Sequence, residues 1–162
     1  MAVSPPHERP VGATVEWYTP ASLFEALDAE FDLDPAAAPE GVPTVVPARW
    51  FMRPPSDGLA MRWHGHVWLN PPYGRQAPAF IDRMIEHGDG LLLLPSRTET
   101  KAYQRAWRAA DAVCLLRDRL WFVRNDGVTG RSSFGSTLFA FGDWAVTRLY
   151  AADLGLMVES AA

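Results

Sequence analysis

The chain has 162 residues, of which 48% are hydrophobic and 21% are charged, and its formal net charge is −4. These values fit one folded domain and exclude a disordered tail or a collagen-like chain. The single Cys excludes an internal disulfide, and no stretch of the sequence reaches the roughly 20 apolar residues of a membrane span. We therefore expect a cytoplasmic protein without a membrane partner.

The N-terminal part of the sequence combines an irregular segment, a helix and a strand. Residues 1–14 are rich in proline and lack hydrophobic periodicity, which predicts a flexible arm. A helix is predicted to begin at Thr19 and Pro20, with Thr as the N-cap and Pro at the first helical position. Apolar residues follow at helical spacing: Leu23, Phe24, Leu27 and Phe31. Residues 31–34 then predict a short strand that ends in an acid.

The middle of the sequence begins with a long irregular stretch. Residues 35–55 are rich in proline and predict a loop, and a loop of that length is usually functional or mobile. Residues 66–70 predict a strand that stops at two prolines, and residues 77–87 predict an amphipathic helix. The unbroken apolar run over residues 91–94 is typical of a parallel strand buried on both faces.

The C-terminal part continues the alternation of helices and strands. Residues 98–110 predict a second amphipathic helix, and residues 112–116 predict another buried strand. Residues 120–123 and 137–141 predict strands that could form a closing antiparallel pair, whereas residues 144–159 fit a helix or a strand equally well. Strands that alternate with helices imply an α/β fold with a mostly parallel sheet and flanking helices.

The most informative motif is Asn70-Pro71-Pro72-Tyr73, which directly follows a predicted strand. Ligands of open α/β sheets bind beyond the carboxyl ends of the strands. The Asn70 amide oxygen and the Pro71 carbonyl could accept both hydrogens of a planar exocyclic amine, and the Tyr73 ring could stack on the base. An amino-methyltransferase needs this chemistry. The alternative interpretation is that the two prolines only end the strand.

On these residues the sequence resembles the amino-methyltransferases that use S-adenosylmethionine, and more closely the small phage-type DNA N6-adenine methyltransferase family (Dam-like). The resemblance runs in the family's order from about residue 17 to residue 142. It implies a Rossmann-like methyltransferase fold, S-adenosylmethionine as the cofactor, and adenine in the DNA of a bacterial host as the target. The matching segments are residues 16–20, 31–35, 57–63, 67–74, 93–98 and 116–120.

The resemblance also implies roles for individual residues. The catalytic loop would be Asn70, Pro71, Pro72 and Tyr73. The cofactor would be bound by Trp17, Tyr18, Thr19, Pro20, Asp34, Pro35 and Asp57. Many methyltransferases follow the acid of the first strand with a glycine-rich turn, which lets the cofactor approach the backbone. Here no glycine follows Asp34 until Gly41, so the sequence departs from this pattern at the turn after Asp34.

Positive charge is concentrated between residues 97 and 131, where eight basic residues stand against four acidic ones. Such a segment can face phosphate groups in an otherwise acidic protein. Contacts with nucleic acid are predicted for Arg97, Lys101, Arg105, Arg117 and Arg119. The alternative is a solvated helix face with ordinary surface arginines.

Metal binding and cysteine catalysis have little support in the sequence. His64 and His66 have no nearby Cys or acid that would complete a ligand set, so we expect no metal. Cys114 lies in an apolar strand and is expected to be a small buried side chain.

The leading hypothesis is a site-specific DNA adenine N6-methyltransferase formed by a single domain over residues 15–162. This domain would have no separate target-recognition block, so sequence recognition would fall to loops or to a partner. One alternative is a catalytically silent module that binds DNA, and another is the same chemistry on a glutamine side chain or an RNA base.

Overall fold

The computed structural model describes residues 17–124 and 126–159, so the predicted arm over residues 1–14 lies outside the described residues. The helices are α1 (Ala21–Leu27), α2 (Ala77–His87), α3 (Lys101–Ala109) and α4 (Gly142–Ala151). The strands are β1 (Phe31–Asp34), β2 (Ala48–Phe51), β3 (Val67–Leu69), β4 (Gly90–Pro95), β5 (Ala112–Leu116), β6 (Trp121–Val123), β7 (Thr129–Arg131), β8 (Ser136–Phe141) and β9 (Gly155–Glu159). None of the helices in these described residues is long and apolar enough to span a bilayer.

Seven strands form one mixed sheet in the order β2-β1-β3-β4-β8-β5-β9, and β6 and β7 form a separate pair. The pairs β2–β1, β1–β3 and β3–β4 are parallel. Strand β8 is antiparallel to both of its neighbours, so β5 runs in the same direction as the first four strands. The predicted α/β, mostly parallel, Rossmann-like fold class is confirmed.

Helices cover both faces of the sheet. Strand β4 is therefore buried on both faces, which explains its continuously apolar sequence. Leu91 and Leu93 face one hydrophobic cluster together with residues of α1 and α4. Leu92 and Leu94 face the opposite cluster together with residues of α2 and α3. Because side chains alternate along a strand, burial on both faces requires every position to be apolar.

Two predicted helix starts need correction. Helix α1 begins at Ala21 with Pro20 as its N-cap residue, and no side chain caps it. Thr19 is therefore not the cap, and its hydroxyl oxygen accepts a hydrogen bond from the Asn70 side chain instead. Helix α3 begins at Lys101, three residues later than the predicted start, because the Thr100 side chain accepts a hydrogen bond from the Tyr103 N–H and caps the helix there.

Three strand predictions also change. The predicted loop over residues 35–55 contains β2, an edge strand whose half-exposed and exposed residues hide the usual apolar signal. The predicted antiparallel partners 120–123 and 137–141 both form strands, but β6 pairs with β7 and β8 lies inside the main sheet. The ambiguous segment over residues 144–159 contains most of α4 and all of β9.

Candidate active site

A cavity of about 940 Å³ opens at the carboxyl ends of β1 and β3. This is the edge at which open α/β sheets bind their ligands, and the volume lies near the upper end of the roughly 300–1,000 Å³ of ligand pockets. The sequence-predicted residues in its wall are Trp17, Tyr18, Thr19, Pro20, Asp34, Pro35, Asp57, Asn70, Pro71, Pro72 and Tyr73. Four segments that are distant in the sequence therefore meet around one space.

Asp34 places a buried carboxyl group at the end of β1. Its residue surface is 4% exposed, and burial raises its pKa from 3.8 to about 7, against the opposing effects of the Ala36 N–H and the Arg53 guanidinium. The Ala36 N–H donates to Asp34 Oδ1 at 3.1 Å. Among the described residues Oδ2 has no hydrogen-bond donor, which leaves it able to accept one from a ligand in the cavity.

The backbone after Asp34 forms a close cavity wall without glycine. Ala36, Ala37 and Ala38 line the cavity, and none of them has a positive φ. The Arg53 guanidinium donates to the Ala38 carbonyl at 2.7 Å and holds this segment in place. Sequence reasoning missed Arg53 because it lies in the stretch that was interpreted as an unstructured loop.

A glycine in a different loop packs directly against the turn after Asp34. A Cβ atom at Gly58 would overlap with the Pro35 carbonyl oxygen, so only glycine allows the two loops to touch. The preceding Asp57 is exposed, and its Oδ1 accepts from the Leu59 N–H at 2.8 Å, which stabilises its own turn. Asp57 therefore contributes to the rim of the cavity.

The loop after β3 presents Asn70 and Tyr73 to the cavity. Asn70 Nδ2 donates to Thr19 Oγ1 at 3.2 Å, and Asn70 Oδ1 has no donor among the described residues. Pro71 is buried, whereas Tyr73 is 59% exposed. An unpaired amide oxygen and an exposed aromatic residue on the same loop suit the recognition of a planar amino group.

The β6–β7 hairpin fixes the N-terminal element of the site, a contact that sequence reasoning did not anticipate. The Tyr18 N–H donates to the Val123 carbonyl at 2.7 Å, and the Val123 N–H donates back to the Tyr18 carbonyl at 3.0 Å. The Trp17 indole lies so close to Gly130 that a Cβ there would approach it to 2.6 Å. The hairpin thus holds residues 17–20 against the cavity.

The basic residues predicted to contact nucleic acid lie outside the cavity wall. Three of them form ion pairs within the protein: Arg97 with Glu99 at 3.1 Å, Arg105 with Asp82 at 2.8 Å, and Arg117 with Asp153 at 3.4 Å. Lys101 and Arg119 are exposed and have no ion pair with any described residue. A different basic residue, Arg124, lines the cavity, and its guanidinium lies 5.9 Å from the centre of the Trp17 ring.

The histidine and cysteine residues discussed above lie apart from this cavity. His66 Nδ1 lies 2.8 Å from Asp89 Oδ1, and the ring stacks on Trp144 with centroids 4.0 Å apart. In the part of the chain that the structure describes, no group of three or more ligating side chains could hold a metal ion. Cys114 is buried in β5 as expected, and burial raises the pKa of its thiol.

The fold is that of a Rossmann-like methyltransferase, and comparison with known proteins identifies the family. The family described as DNA N-6-adenine-methyltransferase (Dam) matches residues 9–148, and the chain belongs to it. A protein of Escherichia phage T1 named DNA N-6-adenine-methyltransferase is 31% identical over 113 residues, which cover 63% of this chain and 45% of that relative. The chain therefore matches less than half the length of this curated relative. No solved structure matches it.

Proposed function

We propose that the chain transfers a methyl group from S-adenosylmethionine to the exocyclic amine of adenine in DNA, in the cytoplasm of a bacterial host. The observation that carries the proposal is the position of Asn70, whose free Oδ1 lies at the end of β3 in the same cavity as the buried carboxyl of Asp34. Membership of the Dam family and the similarity to a phage enzyme support it.

The residues of the cavity fit the cofactor. Asp34 has a carboxyl oxygen without a donor, and the ammonium or hydroxyl groups of S-adenosylmethionine can supply one. Pro35, the alanines that follow it and Asp57 would line the cofactor's path, and the element from Trp17 to Pro20 would cover it. The cofactor supplies an electrophilic methyl group when it is bound.

The loop from Asn70 to Tyr73 would act on the target base. Asn70 Oδ1 and the Pro71 carbonyl would accept the two hydrogens of the adenine amine, which shifts electron density towards the nitrogen that accepts the methyl group. The exposed Tyr73 ring would stack on the base. Such a base must leave the duplex stack, at a cost of about a few kcal/mol that the pocket has to offset.

Two arginine–aromatic pairs on the protein surface support DNA as the partner. The Arg131 guanidinium lies 4.7 Å from the centre of the exposed Trp121 ring, and the Arg97 guanidinium lies 5.5 Å from that of the exposed Phe134 ring. Guanidinium groups bind phosphate, and aromatic faces stack on unpaired bases. Arg124 adds a positive charge to the cavity wall, where Asp126 pairs with it at 2.5 Å, and together with the Arg131–Trp121 pair it favours nucleic acid over a glutamine side chain as the acceptor.

The experiment that tests this function identifies the methylated product. The purified chain would be incubated with labelled S-adenosylmethionine and DNA, and the DNA would be digested and its nucleosides separated. We expect N6-methyladenine, with about a hundredfold less or lower from the matched Asn70→Ala variant. Label in RNA or protein in place of DNA would redirect the proposal to another acceptor, and no transfer despite cofactor binding would favour the silent module.

A further inference from the structure

We infer that Thr19 is a positioning residue that sets the orientation of the Asn70 side chain, an inference that rests on the function proposed above. Thr19 Oγ1 accepts the hydrogen bond from Asn70 Nδ2 at 3.2 Å. Because Oδ1 and Nδ2 lie on opposite sides of the amide, engaging Nδ2 turns Oδ1 away from Thr19. The amide oxygen is then free to accept a hydrogen from the target amine.

Thr19 suits this role because its position is fixed on both sides along the chain. Before it, Tyr18 is held by two backbone hydrogen bonds to Val123, at 2.7 and 3.0 Å. After it, Pro20 restricts the backbone of Thr19 to extended conformations. The Thr19 residue is only 5% exposed, and its β-branched side chain has few rotamers. The hydroxyl is therefore a rigid acceptor.

This contact also links the catalytic loop to the β6–β7 hairpin. The hairpin holds Tyr18, Tyr18 precedes Thr19, and Thr19 holds Asn70, so the orientation of the amide depends on an element that is distant in the sequence. The Trp17 indole against Gly130 adds a second contact between the same two elements. A helix cap, which the sequence suggests for Thr19, would not require this arrangement.

The test compares two substitutions at this position. Thr19→Val keeps the shape of the side chain and removes the acceptor, whereas Thr19→Ser keeps the acceptor. We expect Thr19→Val to lower kcat by about tenfold or more, because a small misplacement of a reacting group is costly. The KM for DNA should stay within about twofold, with turnover measured at saturating S-adenosylmethionine because Thr19 also lines the cofactor's part of the cavity. Thr19→Ser keeps the acceptor and should recover most of the parent kcat.

A measurement on the protein without cofactor or DNA observes the contact itself. The sequence contains two asparagines, Asn70 and Asn125, so selective ¹⁵N-asparagine labelling gives two side-chain amide signals. The Asn70 signal is the one that Asn70→Ala removes. We expect Thr19→Val to shift this signal and Thr19→Ser to keep it near its original position.

The double variant Thr19→Val with Asn70→Ala separates positioning from general damage. If Thr19 acts through Asn70, the double variant should be no slower than Asn70→Ala alone. An additive further loss, or Thr19→Val with normal turnover and an unshifted Asn70 signal, overturns the inference. If the parent protein itself methylates no DNA, the proposed function fails, while the amide signal still reports whether Thr19 holds Asn70.

Discussion

The cavity at the ends of β1 and β3 and the basic segment over residues 97–131 are two regions for which the sequence suggested function, and they differ in how well the residues come together. All the catalytic and cofactor-binding residues predicted from the sequence line one cavity. The predicted DNA-binding residues are dispersed, and Arg97, Arg105 and Arg117 are each paired with an acid of the protein itself.

The difference reflects what each kind of signal encodes. A motif such as Asn70-Pro71-Pro72-Tyr73 contains its own geometry, because prolines fix the backbone and a preceding strand fixes the direction. A local excess of charge contains no direction, and an arginine on a helix is as well satisfied by a neighbouring carboxylate as by a phosphate. Arg124 illustrates this, since it lines the cavity although its charge does not distinguish it from its neighbours.

Of the substitutions that test the cavity against the basic segment, Asn70→Ala is expected to have the largest effect on the rate of methyl transfer. We expect methyl transfer to fall by about a hundredfold or more, because preorganised polar contacts at the reacting centre are lost. Cofactor affinity should change little, since the amide faces the target amine. Turnover and calorimetric cofactor titration would be measured on the same preparation. Near-normal turnover by a folded variant would remove Asn70 from the catalytic role.

The next largest effect is expected for Asp34→Ala, which removes the buried carboxyl at the end of β1. A ligand donor to the ionised form of Asp34 contributes about 1.5–3 kcal/mol, so at a pH above its pKa of about 7 cofactor affinity should fall by roughly ten- to a hundredfold. Calorimetry measures the change. An unchanged affinity would place the cofactor elsewhere in the cavity. It would also show that Asp34 lines the cavity without binding the cofactor.

Asp34 also predicts a pH dependence of stability. Its pKa is about 7 in the folded protein, against 3.8 for the free side chain, so between these values the folded state binds more protons than the unfolded state. Stability contributed by this group is therefore lost as the pH rises through that window. The difference in unfolding free energy between Asp34→Asn and the parent protein should therefore shift in favour of the variant by up to about 4 kcal/mol as the pH rises from 4 to 8. Denaturant titrations at several pH values would measure it, and a constant difference would contradict it.

The sequence predicts most of the fold because most of its elements carry their own periodicity, as in α2 and β4. It misses β2 because an edge strand with exposed residues such as Trp50 lacks the apolar pattern. In the site, the motif residues are predictable, whereas their supports are not. Gly58 against Pro35 and Tyr18 against Val123 are contacts across the chain, and no local pattern records them.

A smaller loss of cofactor affinity is expected for Gly130→Ala, which disturbs the contact between the β6–β7 hairpin and Trp17. Its new methyl group would meet the Trp17 indole at 2.6 Å, so the ring or the hairpin has to move. Overpacking of this kind costs about 1–3 kcal/mol, and because Trp17 lines the cavity we expect cofactor affinity to fall by about tenfold. The neighbouring exposed Thr129→Ala is the matched control and should bind normally. Equal affinities for both variants would show that the Trp17 contact does not shape the cofactor site.

The smallest expected effect is on DNA affinity, and it should differ between two basic residues of the same helix. Lys101 is exposed without an ion pair among the described residues, at the start of α3 and at the edge of the sheet where the cavity opens. Arg105, one turn further on, is paired with Asp82 at 2.8 Å. If phosphate contacts come from unpaired charges, Lys101→Glu should weaken DNA binding a few-fold at every sequence and lower the salt slope by about 1.

Arg105→Glu should behave differently, because it exchanges an ion pair with Asp82 for a repulsion between two acids. Exposed pairs contribute about 0–1 kcal/mol, so we expect a slight loss of stability and an unchanged salt slope. Fluorescence titrations of labelled duplexes at several salt concentrations, with thermal unfolding in parallel, distinguish the two variants. If Arg105→Glu reduces the salt slope as much as Lys101→Glu does, the pairing with Asp82 does not decide which charges reach DNA. The side of α3 that carries both Lys101 and Arg105 then faces the phosphates. If neither variant changes it, the DNA surface lies at Arg124 and the β6–β7 hairpin, next to the cavity itself.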